Sequence, residues 1–215
     1  MPYVETYGLE GVRTMLRGTL RNPGWCETLK AIADLGLLND EPQEGLTALS
    51  GTAWLRRHVP GSADLRSDTA RKLGLDADHE TLNRLAWLGF FSDEPAGIEK
   101  GSDLDVLAKL MLDRMAYRPG ERDMIVLHHE FVAEHPDRRR EKILSTLVDF
   151  GIPGGDSAMA RTVSLPAAVA VKLILQGRLS LTGVRIPVLP AIYAPVLSEL
   201  SGLGAAFNER RQPLP

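Results

Sequence analysis

Two arginines near the start of the chain are the first residues whose type and spacing could do chemistry. Arg17 and Arg21 lie close together, and the turn signal Asn22-Pro23-Gly24 follows them directly. A planar guanidinium binds a carboxylate through two parallel hydrogen bonds, a geometry that an ammonium group does not reproduce. The segment is therefore a candidate for binding an acidic ligand. The competing interpretation is that both arginines are solvated residues of a strand.

A second candidate is the segment Gly154-Gly155-Asp156-Ser157, which precedes a predicted helix. Free backbone N–H groups at the start of a helix can bind a carboxylate or a phosphate. An acidic side chain at such a position more often caps the helix itself. We therefore interpret Asp156 as a helix cap rather than as part of an anion site.

The histidines and the single cysteine offer weaker chemistry. His128, His129, Glu130 and His135 are close in sequence, but adjacent residues of a strand point to opposite faces. His128 and His129 therefore do not readily share one metal ion. Cys26 begins a predicted helix, and a small packed residue is a better interpretation than a nucleophile because no motif ties it to a reaction. The sequence predicts no metal site and no catalytic residue.

The composition is that of an ordinary globular protein. The 215 residues are 44% hydrophobic, enough for one substantial core and a smaller satellite domain. The chain has 25 Lys and Arg against 28 Asp and Glu, so its net charge gives no reason to expect nucleic acid or an anionic membrane as a partner. One cysteine forms no intrachain disulfide, which fits a reducing compartment. With no signal-peptide pattern and no stretch near the roughly 20 apolar residues of a membrane span, we expect a soluble cytoplasmic protein.

The elements that position the candidate residues follow from hydrophobic spacing. Alternation over residues 13–21 predicts a strand, and a change to helical spacing between Trp25 and Met115 predicts a block of helices. The predicted helices of this block cover residues 25–35, 52–58, 68–73, 79–88 and 102–115. The Met, Leu and Trp positions of this block are predicted to be core. Two similar segments, 33–38 and 85–91, are interpreted as helix ends with glycine caps.

After Pro119-Gly120 the spacing changes to a period of two. Residues 122–132 and 140–150 are predicted to form an antiparallel hairpin with a turn at 135–138. A helix over 157–175, kinked or divided by Pro166, a strand or extended arm at 184–188, a helix at 193–200 and a frayed polar tail at 208–215 complete the prediction. The fold class is therefore α+β, a mixed or antiparallel sheet domain with an inserted helical domain.

Three blocks, in order and at compatible spacing, resemble the saccharopine reductase and saccharopine dehydrogenase family. They are Arg17-Gly18-Thr19-Leu20-Arg21 with Gly24, Glu121-Arg122-Asp123-Met124-Ile125-Val126-Leu127, and Asp156-Ser157-Ala158-Met159-Ala160-Arg161-Thr162-Val163 with Leu165-Pro166. Shorter similarities at Gly36-Leu37, Trp87-Leu88-Gly89 and Tyr193-Ala194-Pro195 extend the resemblance over nearly the whole chain. Many members have an aromatic residue in place of Asp156, a glycine in place of Ser164 and a lysine in place of Arg161. These departures concern the substrate more than the fold.

The resemblance implies an enzyme with an N-terminal Rossmann domain, a substrate domain and a helical domain inserted into the latter. No strand-linked G-x-G-x-x-G motif occurs in this chain, so we expect no Rossmann domain here. Residues 1–24 and 117–215 are expected to form the sheet-containing substrate domain, and 25–116 the inserted helical domain. The resemblance also implies that Thr19, Leu20 and Arg21 lie against the substrate, together with Arg17.

The implied reaction interconverts saccharopine with aminoadipate semialdehyde and glutamate, through an imine and with NADP or NAD as cofactor. We expect the cofactor and the catalytic groups to belong to the missing N-terminal portion, so this chain alone binds no cofactor and is inactive. The expected partners are an amino-acid substrate, the Rossmann domain and a second subunit. Two alternatives stay open, a related oxidoreductase acting on a carboxylated polyamine and a non-catalytic oligomerisation module. A Rossmann fingerprint upstream of Met1 would distinguish enzyme from module.

Overall fold

A computed structural model of the protein describes residues 2–46, 49–61, 64–95, 97–98 and 101–215. In chain order its elements are α1 (Pro2–Thr6), α2 (Trp25–Asp34), α3 (Gly51–His58), α4 (Leu65–Leu73), α5 (Glu80–Leu88), α6 (Asp103–Met115), β1 (Met124–Glu134), β2 (Arg140–Phe150), α7 (Ala158–Leu175), α8 (Pro190–Gly202) and β3 (Asn208–Leu214). The strands pair antiparallel. Helices combined with a small antiparallel sheet confirm the predicted α+β class.

The chain divides into two compact units. The sheet unit comprises Met1–Met15 and Tyr117–Pro215, and the helical unit comprises Leu16–Ala116. Residues 16–24, which the sequence assigns to the substrate domain, therefore group with the helical unit. The interpretation of residues 25–116 as an inserted domain stays a prediction.

Helices of the helical unit begin and end at local sequence signals. The Ser102 hydroxyl accepts a hydrogen bond from the N–H of Asp105, whose carboxylate accepts one from the N–H of Ser102, so α6 begins with a capping box. Gly36 and Gly89 follow α2 and α5 with φ of 86° and 102°. The N–H after each glycine donates to a carbonyl five residues earlier, which confirms the two predicted glycine-capped helix ends.

Among the described residues of the helical unit, one apolar cluster forms the core. Its largest buried side chain, Trp54, packs against Phe90 with ring centres 5.3 Å apart. The fully buried carboxylate of Asp103 accepts hydrogen bonds from Nε1 of Trp54 at 2.7 Å and Nε2 of Gln43 at 2.5 Å. Nε2 of His58 lies 3.0 Å from the same carboxylate. These partners satisfy the carboxylate within the core and tie α3 to α6.

The sheet of the sheet unit has the strand order β1-β2-β3. Met124 pairs with Phe150 at one end of the β1–β2 ladder and Glu134 with Arg140 at the other. The N–H of His135 donates to the carbonyl of Arg139 at 2.8 Å and closes the turn. The predicted hairpin and the position of its turn are therefore confirmed.

Helices α7 and α8 form the second apolar cluster, built from Val169, Leu173, Val196 and Leu200. α7 continues through Pro166, so the alternative of a second helix beginning there is wrong. The carboxylate of Glu199 accepts hydrogen bonds from Lys172 at 2.7 Å and Arg178 at 2.8 Å. These cations hold the pKa of Glu199 below its ordinary value.

By length and composition alone, α7 is also apolar enough to span a membrane, with a mean hydropathy of 1.5 over its 18 residues. The expectation that no stretch approaches such a length was wrong in this respect. About a sixth of the helix is buried, and a single helix of this kind is weak support for a membrane segment because core helices of other proteins pass the same test.

Other predictions were wrong where pairing or packing between distant residues decides the structure. Residues 13–21 form no strand, because an alternating sequence makes a strand only when a neighbouring strand supplies hydrogen bonds. Residues 184–188 form no strand either, which leaves the alternative of an extended arm. The predicted frayed tail is β3, which pairs with β2 from Asn208 opposite Thr146 to Leu214 opposite Arg140. Trp87 and Leu112, predicted to be core, are 56% and 69% exposed.

Candidate substrate-binding segment

The residues Arg17, Thr19, Leu20 and Arg21 lie on one irregular, exposed segment at the start of the helical unit. The side chain of Leu20 is 72% exposed. Nη1 of Arg21 donates to the carbonyl of Leu20 at 2.8 Å, so the guanidinium lies over its own backbone. Guanidinium groups beside an exposed apolar side chain can bind a ligand that carries both carboxylates and methylene groups.

A tight turn follows this segment and leads into α2. The N–H of Trp25 donates to the carbonyl of Asn22 at 3.1 Å, and Gly24 adopts φ 84° and ψ −11°. Pro23 before such a glycine is typical of a type II turn. The turn predicted at Asn22-Pro23-Gly24 is confirmed, and it fixes the point at which the candidate segment ends.

The start of α7 is capped by side chains rather than open to an anion. The carboxylate of Asp123 accepts hydrogen bonds from the N–H groups of Ala158 at 2.6 Å and Met159 at 2.8 Å. Ser157 caps the next free group, the N–H of Ala160, at 3.0 Å. The interpretation of Asp156 as the cap was therefore wrong. The start of α7 is nevertheless capped by side chains, those of Asp123 and Ser157. The bonds from Met159 and Ala158 lower the pKa of Asp123.

Arg161 pairs with an acidic residue of the sheet. Its Nη1 lies 3.2 Å from Oδ1 of Asp149 and donates to the carbonyl of Phe150 at 3.4 Å. The side chains of Arg161 and Asp149 are 20% and 14% exposed. Arg161, noted in the sequence because lysine is frequent there, thus holds α7 against β2.

The histidines make separate local contacts. Nδ1 of His128 lies 2.8 Å from the hydroxyl of Thr146, while the ring centre of His129 lies 6.0 Å from that of Phe131 and 5.7 Å from that of Phe207. Nε2 of His135 lies 3.0 Å from a carboxylate oxygen of Glu141 on β2. No group of three or more His, Cys, Asp or Glu that could hold a metal ion occurs among the described residues.

Cys26 lies in the first turn of α2 with a free thiol. Its side chain is exposed, so the interpretation as a small packed residue was wrong. The buried positions of α2 are Thr28, Ala31 and Ile32, which lie on the opposite face of the helix.

The sequence profile of the saccharopine dehydrogenase C-terminal domain matches residues 1–205, and the chain belongs to this family. It is 36% identical over 208 residues to saccharopine dehydrogenase [NADP(+), L-glutamate-forming] of Saccharomyces cerevisiae, covering 92% of this chain and 46% of that protein. It is 34% identical to mitochondrial alpha-aminoadipic semialdehyde synthase of Mus musculus, covering 96% and 23%.

The fold is also similar to a solved structure, apo saccharopine dehydrogenase (L-Glu forming) from Saccharomyces cerevisiae, with a TM-score of 0.84 and 34% identity. The similarity covers 98% of this chain and 49% of that one. The chain therefore spans about half the length of the saccharopine dehydrogenases that it matches.

Two contacts near the candidate segments were not predicted from the sequence. Asp123 caps a helix that begins 35 residues later, and Arg84 of α5 lies against Gly24 in the turn after Arg21. Asp123 lies in the block Glu121 to Leu127 that resembles the family, but no role was predicted for it. Arg84 had no signal in its local sequence.

Proposed function

We propose that this chain is the substrate-binding C-terminal portion of an NADP(+)-dependent saccharopine dehydrogenase of the glutamate-forming kind. The complete protein would interconvert saccharopine with aminoadipate semialdehyde and glutamate. The observation that carries the proposal is family membership over residues 1–205 together with the identity to enzymes of that name. The exposed arginine segment agrees with it because saccharopine carries several carboxylates.

In this proposal Arg21 binds a substrate carboxylate, with Thr19, Leu20 and Arg17 beside it. Two parallel N–H groups of a guanidinium match the two oxygens of a carboxylate, and the charge strengthens both hydrogen bonds. Arg21 donates to the Leu20 carbonyl, which is an uncharged acceptor. A substrate carboxylate is a stronger acceptor and can replace this carbonyl as the partner of the guanidinium. The segment recognises the substrate, and the hydride is transferred elsewhere.

The cofactor and the groups that move protons belong, in this proposal, to an N-terminal Rossmann domain outside these residues. We propose NADP(+) as the cofactor because the fungal relatives carry it in their names. The 215 residues alone would then bind no nicotinamide cofactor and oxidise no saccharopine. A cytoplasmic homodimer is the expected form of the complete enzyme.

The test is a chimera in which the N-terminal portion of the Saccharomyces cerevisiae relative is followed by this chain. We expect saccharopine-dependent formation of NADPH, measured by steady-state kinetics. Arg21→Lys keeps the charge but loses the two-pronged geometry, so kcat/KM should fall about tenfold or more, and Arg21→Ala should fall further. Cofactor affinity and thermal stability should stay nearly unchanged.

Arg114→Ala is the matched control, because Arg114 is an exposed arginine of the same unit at the end of α6. It should leave all kinetic constants unchanged. Wild-type kcat/KM in Arg21→Ala would remove this residue from the substrate site. Oxidation of a carboxylated polyamine in place of saccharopine would favour the related oxidoreductase instead.

A further inference from the structure

We propose that Arg84 is a positioning residue for the Arg17–Arg21 segment, acting through the turn that ends it. The inference rests on the proposed function and adds a residue 63 positions away from Arg21 in the chain. It stands on the contact between the Arg84 guanidinium and the backbone of Gly24.

The turn has one conformation that only glycine adopts easily. Gly24 has φ 84°, in the left-handed region, and its carbonyl accepts hydrogen bonds from both the N–H and the hydroxyl of Thr28, at 3.0 and 2.8 Å. The bond from Trp25 to Asn22 closes the turn on its other side. The turn is therefore joined firmly to α2 but has no capping side chain of its own.

The guanidinium of Arg84 covers the open face of Gly24. A Cβ atom at Gly24 would overlap the central carbon and both terminal nitrogens of that guanidinium. Arg84 lies on α5 next to the fully buried Leu85, so its backbone is fixed by the core of the helical unit. α5 thereby supports the turn from outside α2.

Packing and charge, rather than directed hydrogen bonds, hold the guanidinium there. Nη1 of Arg84 is buried with no hydrogen-bond partner among the described residues, and its ion pair with Oε2 of Glu27 spans 3.7 Å. The side chain is 36% exposed. A flat guanidinium can cover a glycine backbone, and a tetrahedral ammonium covers it less well.

Arg21 directly precedes this turn, which connects it to α2. A change in the turn therefore alters the position of Arg21 relative to α2. Near-attack geometry tolerates little displacement of a binding group, and a shift of about 1 Å can cost a large factor in rate. Supporting the turn therefore positions the proposed carboxylate ligand without touching the substrate.

The first measurement is backbone hydrogen exchange and tryptic cleavage after Arg21 in the 215-residue chain. Arg84→Met keeps the apolar stem and the helix propensity but removes the guanidinium. The N–H of Trp25 should exchange about three- to tenfold faster, and cleavage after Arg21 should accelerate similarly, while core amides around Leu85 keep their protection. Arg84→Lys should lie between wild type and Arg84→Met, and Arg114→Ala should behave as wild type.

The second measurement is the kinetics of Arg84→Met in the chimera. We expect the KM for saccharopine to rise about three- to tenfold, with kcat and the KM for NADP(+) within about twofold of wild type. If Arg84 only stabilised the fold, the KM for saccharopine would not rise selectively. Unchanged exchange at Trp25, or an unchanged saccharopine KM while Arg21→Ala is impaired, would overturn the inference. An effect of Arg84→Met on exchange together with wild-type kinetics in Arg21→Ala would instead remove Arg21 from the substrate site, which is the part of the proposed function on which this inference rests.

Discussion

The helical unit and the sheet unit bury their apolar residues to very different extents. Among the described residues, the helical unit has one cluster of sixteen buried hydrophobic residues, whereas α7 and α8 of the sheet unit share a cluster of four. Several large apolar side chains of α7 are more than half exposed, namely Met159, Val163, Val171, Ile174 and Leu175. The helical unit therefore has the larger buried core, and the sheet unit leaves several large apolar side chains of α7 exposed.

The difference between the units determines how the candidate arginine segment responds to a loss of packing in each of them. The candidate arginine segment is attached to the unit with the larger core, through a turn that α2 and α5 hold. The sheet unit contributes a continuous antiparallel ladder but a small buried apolar cluster. Substitutions in the helical core should change the conformation of the candidate segment, and substitutions on the surface of α7 should not.

The largest expected effect is the loss of Trp54 from the helical core. Trp54→Ala removes the packing against Phe90 and leaves Asp103 without its indole donor, so we expect a loss of about 3–5 kcal/mol in the free energy of unfolding. Urea unfolding followed by circular dichroism measures this. Leu200→Ala in the smaller cluster should cost about 2 kcal/mol, near the lower end for such truncations, because that cluster has less packing to lose. Equal losses in both variants would contradict the conclusion that the helical unit has the more extensive core.

An intermediate effect is expected at the start of α7, where Asp123 joins the sheet to the helix. Its pKa lies below the ordinary value of 3.8, so the ionised carboxylate stabilises the fold at neutral pH. This stabilisation is complete above the unfolded-state pKa and is lost as the pH falls through the folded-state pKa. Asp123→Ala should lower Tm at neutral pH, and the difference from wild type should vanish in strong acid. Thermal scans at both pH values test this.

Asp156→Ala is the matched control, because Asp156 precedes the same helix but makes no cap bond to it. Its Tm should follow that of wild type at both pH values. A fall in Tm equal to that of Asp123→Ala would restore Asp156 as the cap.

Local sequence predicted those features that are stabilised locally. The turn at Gly24 and the caps at Gly36 and Gly89 depend on a glycine in the left-handed region, which short segments identify well. The β1–β2 hairpin also follows from adjacent residues with a period of two. The two arginines and the turn after them marked residues 17–21 as a candidate for binding an acidic ligand, and the resemblance to a family linked the segment to a substrate.

Features that depend on distant partners were not predictable in the same way. β3 has a polar sequence and is a strand because β2 offers backbone hydrogen bonds to it. The same requirement excludes a strand at residues 13–21, which alternate but have no paired neighbour in the sheet. Asp123 and Arg84 act on residues far away in the chain, and no local pattern marks either.

The smallest expected effect comes from the exposed face of α7, and a pair of valines on this helix gives a matched test. Val171 is 55% exposed, whereas Val169, two residues earlier, is 5% exposed in the cluster with α8. Val169→Ala removes two buried methyl groups and should cost about 1–2 kcal/mol at roughly 0.8 kcal/mol per buried carbon. Val171→Ala removes methyl groups that are largely in water already and replaces valine by a better helix former.

We therefore expect Val171→Ala to change the free energy of unfolding by less than about 0.5 kcal/mol, in either direction. Chemical denaturation of both variants in the 215-residue chain, at two protein concentrations, measures the difference. A concentration-independent loss in Val171→Ala as large as that in Val169→Ala would mean that the outer face of α7 is covered within this chain, and the contrast between the two units would fail. A loss that grows with protein concentration would mean that a second copy covers this face, because self-association stabilises a folded protein by mass action.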